Sequence, residues 1–150
     1  MTDPAARPLD VRKQDTLRRL AEDVDAWIAT ASPDGTAHLM PLSFLWTNGT
    51  LLMSTTATNP TARNFERNPE FQLTLGHTRD VIHITATCER VDPADVLPEE
   101  GEAFARKAGF DPRPLKNYPF YRATPTKILA WREVNELKDR TLMQAGAWLV

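Results

Sequence analysis

Two tight-turn signals constrain the first half of this chain more than any other feature. Ser32-Pro33-Asp34-Gly35 and Thr47-Asn48-Gly49 each separate two stretches rich in apolar residues. Proline presets φ at a turn position and glycine accepts positive φ, so both segments favour turns between antiparallel strands. The pattern predicts three consecutive strands, at 24–31, 37–46 and 50–55. Pro41 lies inside the second strand and predicts an edge position, a bulge or a docking site there.

Hydrophobic periodicity predicts the remaining elements. In the segment 80–91, Val81, His83 and Thr85 alternate with Ile82 and Ile84, as in a strand with two different faces. Further strands are predicted at 71–77 and 121–133, and helices at 10–22, 60–67 and 98–108. Because the six strands are not separated by full crossover helices, the predicted fold is mainly β, an antiparallel barrel or sandwich with few helices.

Composition limits the classes of protein to consider. The 150 residues fit a single domain, with residues 1–9 as a loose N-terminal arm. A net charge of −2 argues against a nucleic-acid platform. The single cysteine, Cys88, excludes an internal disulfide and fits a reducing compartment. No membrane span or export signal is recognisable, so we expect a cytoplasmic protein.

The segment 50–69 has the composition of an anion-binding corner. An apolar run ends in the hydroxyl residues Ser54, Thr55, Thr56 and Thr58, and Asn59-Pro60 then marks the start of a helix. The first turn of a helix offers free backbone N–H groups and a partial positive charge. With Arg63 and Asn64 one turn inside, the segment predicts a phosphate cradle. A capped helix with solvated arginines is the alternative explanation.

Several segments resemble the pyridoxamine 5′-phosphate oxidase-like family, the flavin split-barrel proteins. The resemblance rests on ATASPDGTAHLMPLSFLWTNGTLLMSTTATNPTARNFERNPEFQLTL, which contains the hairpin, the hydroxyl-rich strand end and the basic helix. The later segment ATPTKILAWRE is similar to the last barrel strand of that family. The resemblance covers roughly residues 20–135. It implies a six-stranded antiparallel split barrel that forms a homodimer, with a flavin site at each end of the dimer interface.

The resemblance also implies a cofactor and its contacts. FMN or the 8-hydroxy-5-deazaflavin coenzyme would lie with its ring along the second and third strands and its phosphate at the helix start. The implied cofactor-binding residues are His38, Met40, Pro41, Leu42, Ser54, Thr55, Thr56, Thr58, Arg63, Asn64 and, from the last strand of the partner subunit, Trp131. Arg132 or Arg140 would complete the neighbouring pocket, and Phe110, Tyr118 and Phe120 are candidates to line the substrate side. For the acidic tail of the deazaflavin, the candidates are Arg67, Arg79 and Lys127.

The expected function is therefore hydride transfer between this cofactor and a small organic substrate. The chain carries only Arg140 in place of the basic C-terminal signature of the true oxidases, so vitamin B6 oxidation itself is not expected. Three histidines without ligand spacing predict no metal site. A flavin carrier or sensor without catalytic activity is the alternative. A haem-binding relative, with His38 or His83 as the axial ligand, is a third.

Overall fold

The structure, a computed structural model, describes residues 4–150. The helices are α1 (Leu9–Glu22), α2 (Pro60–Arg67) and α3 (Pro98–Ala108). The strands are β1 (Asp25–Ala31), β2 (Ala37–Ser43), β3 (Leu45–Thr47), β4 (Thr50–Ser54), β5 (Glu70–Leu75), β6 (Val81–Val91), β7 (Phe120–Trp131), β8 (Thr141–Gln144) and β9 (Ala147–Trp148). The predicted bounds of α2 and α3 are confirmed.

The sheet is antiparallel and curls into a split barrel. Hydrogen-bonded neighbours follow the order β2-β1-β5-β6-β7-β4-β3, and β8 adds to β7. Since β2 continues into β3 through Phe44, the two ends of this path are adjacent in the chain. Counting β2 and β3 as one bent strand gives the six barrel strands that the sequence predicts. The mainly β fold class is confirmed.

The prediction of one unbroken strand over 37–46 is wrong at Phe44. This side chain is buried, and its N–H donates to Val24 O at 3.0 Å. The chain bends there, pairing with β1 before the bend and with β4 after it. The edge position predicted from Pro41 is confirmed, because β2 pairs with β1 alone.

The barrel interior is filled by the inward-facing residue of each alternating pair. Strand β1 shows the alternation clearly, with Ala26 and Ile28 buried and Trp27 and Ala29 exposed. Helix α2 closes one end of the barrel through Phe65, whose ring centroid lies 4.9 Å from that of Phe71. A second, smaller core lies under α3, in the connection from β6 to β7. Its buried members are Leu52, Val96, Phe104 and Phe120.

A C-terminal hairpin follows the barrel, where the sequence predicts only a tail. Gln144 of β8 pairs with Ala147 of β9, and the two-residue turn between them has positive φ at Ala145 and Gly146. Turns of this kind match the twist of the strands, but alanine carries no sequence signal for positive φ. The hairpin is therefore visible only in the structure.

Candidate functional site

Helix α2 begins without a capping side chain. Asn59 has the extended backbone of a cap residue and Pro60 occupies the first turn, as the sequence predicts. However, the Asn59 side chain donates from Nδ2 to Thr55 Oγ1 at 2.7 Å, and no side chain within residues 4–150 caps the helix. The first turn of α2 therefore keeps backbone N–H groups that an anion can bind.

The four hydroxyl residues divide into two pairs. Ser54 is buried and donates from Oγ to Pro119 O at 2.9 Å, while the hydroxyl of Thr55 accepts from Asn59. Both groups thus hold the turn in place. Thr56 is half-buried and Thr58 is exposed, and within the described residues neither hydroxyl has a hydrogen-bond partner. These two side chains are the ones that a ligand at the helix start can reach.

The neighbouring residues Arg63 and Asn64 face opposite ways. Asn64 is buried and donates from Nδ2 to Thr30 Oγ1 at 3.0 Å, so it ties α2 to β1. Arg63 is exposed, and no carboxylate of residues 4–150 pairs with it. Arg63 thus offers an uncompensated guanidinium beside the helix start, whereas the Asn64 amide group is already occupied by the protein.

Strand β2 carries the four residues for which the resemblance implies contacts to the cofactor ring. His38 and Leu42 are half-buried, and Met40 and Pro41 are exposed. Because β2 is an edge strand, its outer side presents backbone groups without a neighbouring strand. The strand can offer both apolar contacts and backbone hydrogen bonds to a flat ligand.

Trp131 lies at the end of β7 under a cation. The Arg140 guanidinium carbon is 4.9 Å from the Trp131 ring centroid, within the range of a cation–π interaction. Arg132, by contrast, faces the carboxylates of Asp80 and Asp15 at 3.5 and 3.7 Å. The structure therefore places Arg140 with Trp131 and directs Arg132 to an ion-pair cluster.

The outer face of β1, β5 and β6 holds a cavity of about 530 Å³ that the sequence analysis missed. Trp27 and Leu39 line it on one side, with exposed fractions of 48% and 58%. Gln72 and His83 line the other side and are hydrogen-bonded to each other. The outward positions of β1 are Asp25, Trp27, Ala29 and Ala31, and the apolar residues at three of these four alternate positions were the available signal.

Two titratable groups on β6, one on its outer face and one on its buried face, have shifted pKa values. Burial, with Lys127 and Arg140 adding positive charge, lowers the pKa of His83, so the imidazole favours its neutral form. Burial raises the pKa of the Cys88 thiol to about 12. The thiol is therefore protonated at neutral pH and is not a nucleophile.

The aromatic candidates lie together, whereas the basic candidates are separated. Phe110 packs edge to face against Tyr118 and against Phe104, whose ring also contacts Phe120. Phe120 is fully buried in the second core and is not available to line a substrate pocket. Arg79 lies before β6 and pairs with Glu133, while Arg67 ends α2 near the opposite end of β6. Within residues 4–150 no three His, Cys, Asp or Glu side chains converge as metal ligands, and no helix is long and apolar enough to span a membrane.

The protein is a split β-barrel, and the start of α2, which has no capping side chain, lies at one corner of that barrel. Comparison with known sequences identifies the family. The profile described as Pyridoxamine 5′-phosphate oxidase matches residues 15–132. The chain therefore belongs to the pyridoxamine 5′-phosphate oxidase-like family. A search of curated protein sequences gave no significant match.

Solved structures show the same fold at low sequence identity. A protein named F420 Reductase is 18% identical with a TM-score of 0.62, covering 74% of this chain and 93% of that one. HutZ, the heme storage protein from Vibrio cholerae, is 14% identical with a TM-score of 0.65, covering 91% and 99%. ChuZ from Campylobacter jejuni is 9% identical with a TM-score of 0.75, covering 96% and 64%.

Proposed function

We propose that this protein is a homodimeric oxidoreductase that uses FMN or the 8-hydroxy-5-deazaflavin coenzyme. The observation that carries the proposal is the combination, at one corner of the barrel, of an uncapped helix start and the unpaired Arg63 guanidinium. A phosphate monoester matches both features, since backbone N–H groups and a guanidinium each donate to its oxygens. Membership in the family supports the same cofactor class.

In this proposal the phosphate binds to Arg63, Thr56 and Thr58, with the backbone of the first α2 turn. Ser54, Thr55 and Asn64 hold the corner in shape, because their side chains already bond to the protein. The ring would lie along His38 to Leu42 of the β2 edge. The residues at this corner therefore fit the cofactor. Ser54, Thr55 and Asn64, which the sequence predicts to contact it directly, instead support the shape of the corner in this proposal.

A second copy of the chain would complete the site. The outer face exposes the large apolar side chains of Trp27 and Leu39 beside polar residues, a mixture that is typical of dimer interfaces. Trp131 and Arg140 would reach the cofactor bound by the neighbouring subunit. The cofactor supplies hydride transfer to or from a small organic substrate, and the protein supplies position and electrostatics. A cytoplasmic location stays a prediction of the sequence.

A non-catalytic flavin carrier or sensor is the second candidate. The observation that supports it is that the Cys88 thiol is held protonated, so this side chain supplies no nucleophile or redox partner to a bound flavin. Haem binding through His83 is a weaker alternative, since Gln72 already bonds to that ring. Reduction of the bound cofactor by NAD(P)H or by a deazaflavin dehydrogenase separates an enzyme from a carrier, and a Soret band would indicate haem.

The direct test is titration of the cofactor-free protein with FMN and with the deazaflavin coenzyme. A hydrogen bond to a charged group contributes about 1.5–3 kcal/mol. We therefore expect Arg63→Ala to weaken FMN binding by about 10- to 100-fold. Arg67→Ala is the matched control, because Arg67 is exposed one turn further along the same helix. Unchanged FMN affinity in Arg63→Ala would refute the assignment.

A further inference from the structure

Three charged side chains meet beside the end of β7, two of them buried and the third half-buried. Arg12 and Glu136 are 2% and 3% exposed, and Arg7 packs against both. The Glu136 carboxylate accepts from Arg7 Nε at 2.9 Å, from Arg7 Nη2 at 2.8 Å and from the Arg132 backbone N–H at 2.9 Å. We call Arg7, Arg12 and Glu136 the clasp. Burying such charges is costly and often adds little net stability, whereas it does fix the positions of the groups that the charges contact.

Arg12 bonds to the backbone on both sides of the Trp131–Arg140 pair. Its Nη1 donates to Ala130 O at 3.2 Å and to Asp139 O at 3.3 Å. Each of these carbonyls belongs to the residue directly before one member of the pair. Asp139 has a φ of 58°, a left-handed conformation that needs support in a residue other than glycine. One guanidinium thus fixes the backbone where Trp131 and Arg140 begin.

The N-terminal segment takes part in the same arrangement. Although the sequence predicts a loose arm over residues 1–9, Arg7 donates its backbone N–H to Glu136 at 3.1 Å. Pro4 O accepts from Asn135 Nδ2 at 2.6 Å. The arm therefore holds the turn between β7 and β8 from Pro4 onward. Residues 1–3 lie outside the described part of the chain.

The clasp is not needed merely to attach α1 to the barrel. The opposite end of α1 has its own anchors, since Leu20 is fully buried in the core and Arg19 donates to Asp80 O at 2.6 Å. The clasp instead acts on the nine-residue connection between Trp131 and Thr141. Arg140, the last residue of that connection, places its guanidinium over the Trp131 ring. Its carbonyl oxygen accepts from the Ala130 N–H at 2.9 Å.

We infer that the clasp positions the Trp131–Arg140 pair, and that the N-terminal segment thereby sets the surface presented to the cofactor of the partner subunit. Arg7, Arg12 and Glu136 are positioning residues in this account and touch no ligand. The part of the inference that concerns the cofactor rests on the proposed function. The part that concerns the Trp131–Arg140 pair is a property of the single chain and is tested separately.

The test uses full-length protein labelled with 5-fluorotryptophan, in which the four tryptophans give separate ¹⁹F signals. Loss of one signal in Trp131→Phe assigns Trp131. Glu136→Gln and Arg140→Ala are each expected to shift the Trp131 signal by more than its line width. Glu133→Gln is the matched control, because it breaks an exposed ion pair in the same connection, and it should leave that signal in place. An unmoved Trp131 signal in folded Glu136→Gln overturns the inference.

A second variant and a binding measurement complete the experiment. If Glu136→Gln does not fold, Arg7→Ala removes two side-chain bonds to the carboxylate and should shift the same signal. FMN affinity should fall about tenfold in Glu136→Gln, with no further loss when it is combined with Arg140→Ala. An additional loss in the double variant overturns the inference. A shifted signal with unchanged affinity upholds the clasp and contradicts the proposed contact across the dimer.

Discussion

The hydrogen bonds that the Glu136 carboxylate accepts predict a defined loss of stability in acid. Hydrogen bonds from the Arg7 side chain are the main cause that lowers the pKa of Glu136 from an ordinary 4.5 to about 2. One pKa unit corresponds to about 1.4 kcal/mol. At neutral pH, the difference between the folded and unfolded pKa values therefore adds about 3 kcal/mol to the free energy of unfolding.

The direction of the effect follows from which state holds the proton. Because the folded pKa lies below the unfolded one, the contribution is complete above about pH 5 and declines as the pH falls toward 2. At pH 3, roughly 1.5 kcal/mol of the contribution remains. Glutamine cannot ionise, so Glu136→Gln lacks this pH dependence while it keeps a similar shape.

The assay is urea unfolding of the parent protein and of Glu136→Gln at several pH values between 7 and 3. We expect the difference in free energy of unfolding between them to shrink by about 2 kcal/mol over that range. Glu133→Gln is the control, since an exposed ion pair contributes at most about 1 kcal/mol and its loss should matter little at any of these pH values. A difference that stays constant from pH 7 to pH 3 would show that Glu136 is not held ionised by the clasp.

Three further outcomes are expected. Phe65→Ala should lower the free energy of unfolding by about 3–5 kcal/mol, measured by urea unfolding, because a fully buried ring between Phe71 and Tyr121 is lost. Trp27→Glu should convert the proposed dimer to a folded monomer in light scattering, and a variant that stays dimeric would contradict an interface on the outer face. Arg63→Ala should leave the free energy of unfolding within about 0.5 kcal/mol of the parent value, since an exposed, unpaired side chain contributes little to folding.

Much of the fold could be predicted because its signals are local. The turn residues before β2 and β4 mark two hairpins, and Asn59-Pro60 and Pro98 mark the starts of α2 and α3. Each of these signals depends on φ preferences and hydrogen bonds within a few residues. Strand β6 shows its two faces through alternation alone, and its buried residues all lie on the face of Ile82 and Ile84.

The candidate site could be predicted only in part. The sequence places Arg63 and Asn64 next to each other at the anion-binding corner, but it cannot say which of them faces the barrel. That choice depends on how α2 is rotated against β1, and packing of Phe65 and the bond from Asn64 to Thr30 decide it.

By itself, then, the sequence determined the order of the main strands and helices and, through the family resemblance, the barrel class, and it predicted a corner for anion binding. The tertiary structure alone decided the bend at Phe44, the apolar outer face and the clasp. Arg7 and Glu136 are 129 residues apart, and no local pattern connects a charge near one end of the chain to its partner near the other. Such a pair becomes recognisable only when the barrel brings the segment before α1 beside the end of β7 and removes Glu136 and most of Arg7 from water.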